Sequence, residues 1–166
     1  LELEMEERDI GAIITDTCEL VRTIAYDQRL TLTMEVAPNL PRVVIDPHRF
    51  QQVLLNLIAN AIKFTPEGGD IVVLAERKDD QLLVKVRDTG AGIPPEQKRW
   101  VFEAFASGSE TANGESSLGL GLTIARALTE LHHWHIRVES EVGKGSTFAI
   151  SLPLLRHEVL EPSVRK

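Results

Sequence analysis

The stretch Arg49-Phe50-Gln51-Gln52-Val53-Leu54-Leu55-Asn56-Leu57-Ile58-Ala59-Asn60-Ala61-Ile62-Lys63-Phe64 constrains this chain more than any other. Wound at 3.6 residues per turn, Arg49, Gln52, Asn56, Asn60 and Lys63 fall within an arc of about 80°. The far side carries Phe50, Leu54, Leu57, Ile58, Ala61 and Ile62, and Val53 and Ala59 flank the polar stripe. A helix face meant for water is broad and rich in Glu and Lys. This one is narrow and lined with amides, which are mediocre helix formers. Such a stripe on an otherwise apolar helix points toward a polar ligand. Asp46 is placed to cap the helix, with Pro47 at its first position, where a missing N–H is harmless. Pro66-Glu67-Gly68-Gly69 ends it.

The other elements arrange themselves around this helix. Asp9 caps an expected helix to about Gln28, with Ile10, Ile13, Thr17, Leu20, Val21 and Ile24 as its apolar stripe. Strands are expected over 30–36, 42–46, 70–77, 81–88, 135–140 and 146–152, with a hairpin turn at Lys78-Asp79-Asp80. Residues 89–99 are glycine and proline punctuation, and Trp100 to Phe105 is a short helical turn. Ala106 to Ser117 reads as a mobile loop able to close over a ligand, and Leu122 to His132 as a helix. The order α-β-β-α-β-β-loop-α-β-β is that of an α+β chain. It describes a two-layer α/β sandwich with a mixed, mostly antiparallel sheet and helices on one face, not a doubly wound fold.

The 166 residues suggest one domain, and a net charge of −7 with no long basic run argues against nucleic acid as a partner. The single cysteine, Cys18, sits in an apolar helical pattern, reads as a buried small hydrophobe and fits a reducing, cytoplasmic compartment. No signal peptide or membrane-length apolar run occurs in this chain, so no direct membrane contact is expected of it.

Chemistry gathers at two glycine-bearing segments. In the strand 81–88, Leu82, Val84 and Val86 share a face and Asp88 is in phase with them. A carboxylate on the core side needs a partner. Thr89-Gly90-Ala91-Gly92 follows, where the backbone can bend and a flat ligand approach closely. Such an acceptor can take the amino group of a nucleobase, or cap its own turn. Leu118-Gly119-Leu120-Gly121-Leu122 runs into a helix, which makes it a phosphate-binding candidate or a plain joint. No P-loop and no G-x-G-x-x-G is present. His132-His133-Trp134-His135 has no further ligands to make a zinc site, and His48 is an exposed first-turn residue.

The sequence from Asp46 to Pro66 resembles the asparagine box of the sensor histidine kinase catalytic domain. Asp88-Thr-Gly90-Ala-Gly92-Ile93-Pro resembles its first glycine box, Phe102-Glu-Ala-Phe105 its phenylalanine box and Gly119-Leu-Gly121-Leu its second glycine box. Glu139-Ser-Glu-Val-Gly143-Lys-Gly145-Ser-Thr-Phe148 resembles its closing hairpin. All stand in the family's order, from about Asp9 to Pro153. The chain departs from the pattern at Ser107, at Ser117-Leu118 and at His133-Trp134.

The resemblance implies the Bergerat fold, with ATP and Mg²⁺ as ligands. By it, Asp88 binds the adenine amino group beside Gly90 and Gly92, Asn60 ligates Mg²⁺, and Asn56 and Lys63 face the phosphates as the catalytic pair. Phe64, Ile93 and Leu122 line the nucleotide pocket, and Gly119, Leu120 and Gly121 close on the triphosphate. It further implies that residues 1–8 end a connecting helix, that 9–153 form the catalytic domain, and that 154–166 are a loose tail. The acceptor histidine then belongs to an upstream dimerisation and phosphotransfer segment, and a response regulator stands downstream. The fragment is expected to be a monomer cut from a homodimeric kinase. The alternative is a nucleotide-binding regulatory module without efficient transfer. An ATPase of the topoisomerase or chaperone branch is disfavoured, because Asn56 stands where those enzymes carry a glutamate base.

Overall fold

The computed structural model describes residues 1–103 and 116–154, the side chains of 116–120 excepted. Its elements are β1 (Glu6–Arg8), α1 (Ile10–Asp27), β2 (Thr31–Val36), β3 (Val43–Ile45), α2 (Pro47–Phe64), β4 (Asp70–Lys78), β5 (Gln81–Asp88), α3 (Pro95–Lys98), α4 (Ser116–Leu131), β6 (His135–Glu141) and β7 (Gly145–Pro153). Five strands form one sheet in the order β2-β4-β5-β7-β6, and β1 and β3 form a separate ribbon. The β2–β4 pair is parallel and the other sheet pairs are antiparallel. The fold is the expected mixed α+β sandwich.

Register builds the core. Val73, Val86, Phe148 and Val138 lie in one row across the sheet, and Ala75, Val84, Ile150 and Ile136 in the next. Alternation along each strand turns this face toward the helices. Phe50, Leu54, Leu57 and Ile58 of α2 cover it and are fully buried. Helices α1 and α4 flank α2, and α4 also reaches β6.

Asp9 caps α1 by accepting the Gly11 N–H at 2.9 Å. The face that α1 buries is turned from the expected one. Ile14, Cys18 and Ala25 are in the core, whereas Leu20 and Ile24 are 60% and 52% exposed. Helix α1 leans on α2 and β2 together, and so uses the side facing both. Burial raises the Cys18 thiol pKa to about 11, against a partial opposing pull from Arg22.

Three local expectations change. Residues 1–8 are not helical, because Glu6–Arg8 extend to pair antiparallel with Val43–Ile45. Pro95, at the first helical position, starts a short helix where only punctuation was expected, and residues 100–102 form a turn. Helix α4 begins at Ser116 rather than Leu122, so the second glycine segment is helical. Packing against α2 outweighs the poor helix propensity of glycine there. The expected loop over 106–117 falls mostly on residues 104–115, which lie outside the described residues, as do Phe105, Ser107 and the tail from 155. Leu154 is held by a bond from its N–H to the Asp80 carbonyl at 2.8 Å. Among the described residues no helix is long and apolar enough to cross a membrane.

Candidate functional site

Helix α2 carries its polar stripe past three neighbours. At its start, Asp46 accepts the Arg49 N–H at 3.0 Å as the N-cap. Further along, Arg49 donates to Gln52 at 3.2 Å, so the first half of the stripe satisfies itself. The second half does not. The side chains of Asn56 and Asn60 make no hydrogen bond among the described residues, and Asn60 Oδ1 is buried without a partner. A buried amide oxygen left bare costs about 1–3 kcal/mol, which a ligand can return.

Strand β5 delivers Asp88 to the same neighbourhood. Asp88 is 5% exposed, and burial pushes its carboxyl pKa up against the pull of two backbone donors. Those donors both reach Oδ1: Gly90 N–H at 2.8 Å and Ser146 N–H at 3.2 Å. The turn-capping alternative is thus realised by one oxygen. The other, Oδ2, accepts nothing among the described residues.

Gly90 explains how the strand end and the helix meet. A Cβ there would lie 2.4 Å from the Phe64 carbonyl oxygen and 3.0 Å from Asp88 Oδ1. Only glycine lets the loop backbone press on the last turn of α2, one turn beyond Asn60. From the other side, Gly121 of α4 faces Asn56, whose Cγ lies 3.9 Å from where a Cβ would stand. Asp88 and Gly90 thus adjoin the last turn of α2, and Gly121 adjoins Asn56 one turn before Asn60 on the same helix.

The β6–β7 turn supports the loop from below. Gly143 N–H donates to the Ala91 carbonyl at 2.8 Å, and Ile93 N–H to Ser140 Oγ at 2.7 Å. Ser140 in turn meets Ser146 Oγ at 2.7 Å. Sequence reasoning missed Ser140 and Ser146. Their symmetric placement about the turn, as a cross-strand pair, is the signal that could have found them.

The remaining expected residues fall as follows. Leu122 is buried, and Ile93 is partly buried. Phe64 is 39% exposed and meets the loop through its carbonyl. Gly92 lies beneath the β6–β7 turn. Lys63 is exposed and borders a cavity of ≈ 850 Å³ between the ends of α1 and α2, a cavity that Asn56, Asn60 and Asp88 do not line. Gly119 and Leu120 are helical in backbone. Helix geometry commits the N–H groups of Gly119 and Gly121 to i−4 carbonyls, so within the helix the N–H groups open to an anion belong to residues 116–118. His132 has both ring nitrogens engaged, by the Asp46 N–H and the Leu128 carbonyl, and no metal-ligating cluster occurs among the described residues.

A family model described as "Histidine kinase-, DNA gyrase B-, and HSP90-like ATPase" matches residues 45–156. The chain is 36% identical over 156 residues to the circadian input-output histidine kinase CikA of Thermosynechococcus vestitus (strain NIES-2133 / IAM M-273 / BP-1), covering 92% of this chain and 21% of CikA. It thus spans about a fifth of that relative's length. Among solved structures it resembles full-length ShkA in complex with AMPPNP, with a TM-score of 0.82 and 30% identity over 92% of this chain and 32% of ShkA. The nucleotide-free catalytic domain of histidine kinase ThkA matches with a TM-score of 0.79 and 30% identity, over 91% of this chain and 98% of that one. ThkA has also been solved in complex with the response regulator TrrA, and there it matches with a TM-score of 0.78 and 27% identity over 94% of this chain and 43% of that one.

Proposed function

The chain belongs to the histidine kinase-, DNA gyrase B- and HSP90-like ATPase family, as a catalytic domain of its histidine kinase branch, and on that premise we propose how it works. It binds ATP together with Mg²⁺ and donates the γ-phosphoryl group to a histidine on a separate helical segment. From there the group passes to a response regulator, the class of protein with which ThkA has been solved. The proposed setting is the cytoplasm, in a homodimeric parent protein.

The observation that carries this reading is the pair of unspent acceptors, Asp88 Oδ2 and Asn60 Oδ1, on either side of the Gly90–Phe64 contact. Asp88 Oδ2 accepts the exocyclic N–H of adenine, and the bare backbone at Gly90 lets the base lie close. Phe64, Ile93 and Leu122 give the base apolar walls. Asn60 Oδ1 is the hard, neutral oxygen that suits Mg²⁺, and its lack of a protein partner fits that role. Mg²⁺ bound with ATP neutralises phosphate charge. Asn56 orients the phosphates from α2, Lys63 joins it once its exposed side chain swings over from the α1–α2 cavity, and the first turn of α4 offers N–H groups and a favourable helix dipole to the terminal phosphate. Phosphoryl transfer rests mainly on such positioning and charge stabilisation.

Calorimetric titration of ATP, with and without Mg²⁺, tests the site. Micromolar-range binding strengthened by Mg²⁺ supports it; equal affinities overturn the Asn60 assignment. Incubation with ATP and a supplied histidine-bearing helical segment tests transfer, read as acid-labile phosphohistidine. Binding without that product overturns the kinase step and leaves a nucleotide-binding module.

A further inference from the structure

Every polar group of Asp46 is bound, and the bonds run to three different parts of the fold. Its carbonyl accepts the Phe50 N–H at 2.8 Å, the first bond of α2. Carboxylate Oδ1 caps Arg49, while Oδ2 accepts the backbone N–H of Glu4 at 2.8 Å. Its own N–H donates to His132 Nε2 at 3.2 Å, at the end of α4. Nδ1 of His132 donates to the Leu128 carbonyl at 2.9 Å, which fixes the ring. That ring stacks on Trp134 with centroids 4.0 Å apart, and Trp134 meets Phe50 edge-on at 6.0 Å. Glu6 of β1 pairs with Ile45, the residue before Asp46. The N-terminal strand is thereby tied to both helices that bear the proposed site.

We propose that Asp46 is a positioning residue through which the N-terminal strand β1 sets the nucleotide helix α2, so that docking of the strand and binding of nucleotide strengthen each other. The inference rests on the nucleotide reading above. Strand β1 has three residues, all exposed, in a two-stranded ribbon apart from the main sheet. Such a ribbon is marginal alone and opens well below the cost of global unfolding. When it lifts away, Asp46 Oδ2 loses its donor and the start of α2 loses one of its anchors. Thermodynamic reciprocity then requires that a nucleotide favouring the anchored helix also favour the docked strand.

Glu4→Pro deletes the donor N–H without touching Asp46 or the core. Asp46→Ser keeps a helix cap for Arg49 but has no second oxygen for Glu4. Each variant is expected to weaken Mg-ATP binding by about three- to tenfold, the scale of one charge-assisted hydrogen bond that is partly exposed. The double variant is expected to be no weaker than Asp46→Ser alone, because both act through one bond. In the unaltered protein, saturating Mg-ATP slows hydrogen exchange at Glu4, and Glu4→Pro speeds exchange at Arg49 and Phe50 even without nucleotide. Affinities within twofold of the unaltered protein, or fully additive losses, overturn the proposal. If the unaltered protein binds no nucleotide, the functional reading fails, and the nucleotide-free exchange at Arg49 still decides whether the strand sets the helix.

Discussion

Asp88 accepts the backbone N–H of Ser146 at 3.2 Å, a bond that spans 58 positions of sequence and commits one carboxylate oxygen to the fold. The second oxygen accepts nothing among the described residues, and in the proposed function it is the one that meets adenine. Burial of the charge makes the residue costly to the free protein, and the proposed adenine contact would offset that cost on binding.

Replacement of Asp88 by Asn therefore has opposite effects on stability and binding. The folded pKa of Asp88 lies above its ordinary 3.8 because burial disfavours the charge. The resulting penalty is full above the folded pKa and vanishes as pH falls below 3.8. Asn keeps an oxygen for Gly90 and Ser146 and carries no charge. Asp88→Asn is expected to raise the melting temperature at pH 7, to lose that gain at pH 3, and to weaken ATP on the order of 100-fold. Unchanged ATP affinity in calorimetry would remove Asp88 from base recognition.

Asn60→Ala separates metal from base. Its buried oxygen has no partner to lose, so the free protein is expected to change by less than about 1 kcal/mol in urea denaturation. The ratio of ATP affinities with and without Mg²⁺ is expected to fall toward one, with adenosine binding unaltered. A persisting Mg²⁺ effect places the metal on other residues.

Two glycines of the β6–β7 turn region respond differently to substitution. A Cβ at Gly145 would lie 2.0 Å from the Asp88 carbonyl oxygen, at φ +116. Gly143, at φ +86, has nothing within 4 Å of the same position. Gly145→Ala is expected to cost about 3 kcal/mol or more and to weaken ATP by shifting Asp88. Gly143→Asn is expected to cost less than about 1 kcal/mol, since Asn tolerates the left-handed region. Urea midpoints of the two variants decide it.

His132 gives the fold a pH dependence of known sign. Burial holds its pKa below the ordinary 6.5, outweighing the bond to Leu128 and the pull of Asp46, with His133 adding to the lowering. The fold keeps the neutral ring, so its contribution is full above pH 6.5 and is lost as pH falls through the folded value. His132→Gln, which retains an acceptor for the Asp46 N–H, is expected to flatten the stability profile between pH 7.5 and 5. An unaltered slope would assign the dependence to other groups.

Residues that speak through local pattern were legible in the sequence. The phase of Asp88 with Val86 and the amide stripe of α2 follow from periods of two and 3.6, and both lead to unspent acceptors in the structure. What local pattern does not carry was missed. Strand β1 has no alternation, and its partner β3 lies far along the chain. The burial of Cys18 is legible in its apolar pattern, but that Leu20 and Ile24 face outward depends on where α2 and β2 sit. His132 looked like part of a histidine cluster, yet its bond to Asp46 spans 86 positions. His133, at φ 65, turns the chain so that Trp134 can stack on His132.

Cys18 is sealed at 0% exposure with its thiol pushed up to about 11. At neutral pH almost none of it is thiolate, and reagent has no path to it while α1 remains seated. The lone thiol is therefore a native gauge of opening: where α1 recloses faster than reagent reacts, alkylation tracks the fraction of molecules in which α1 has parted from the body of the fold, read as a single mass increment.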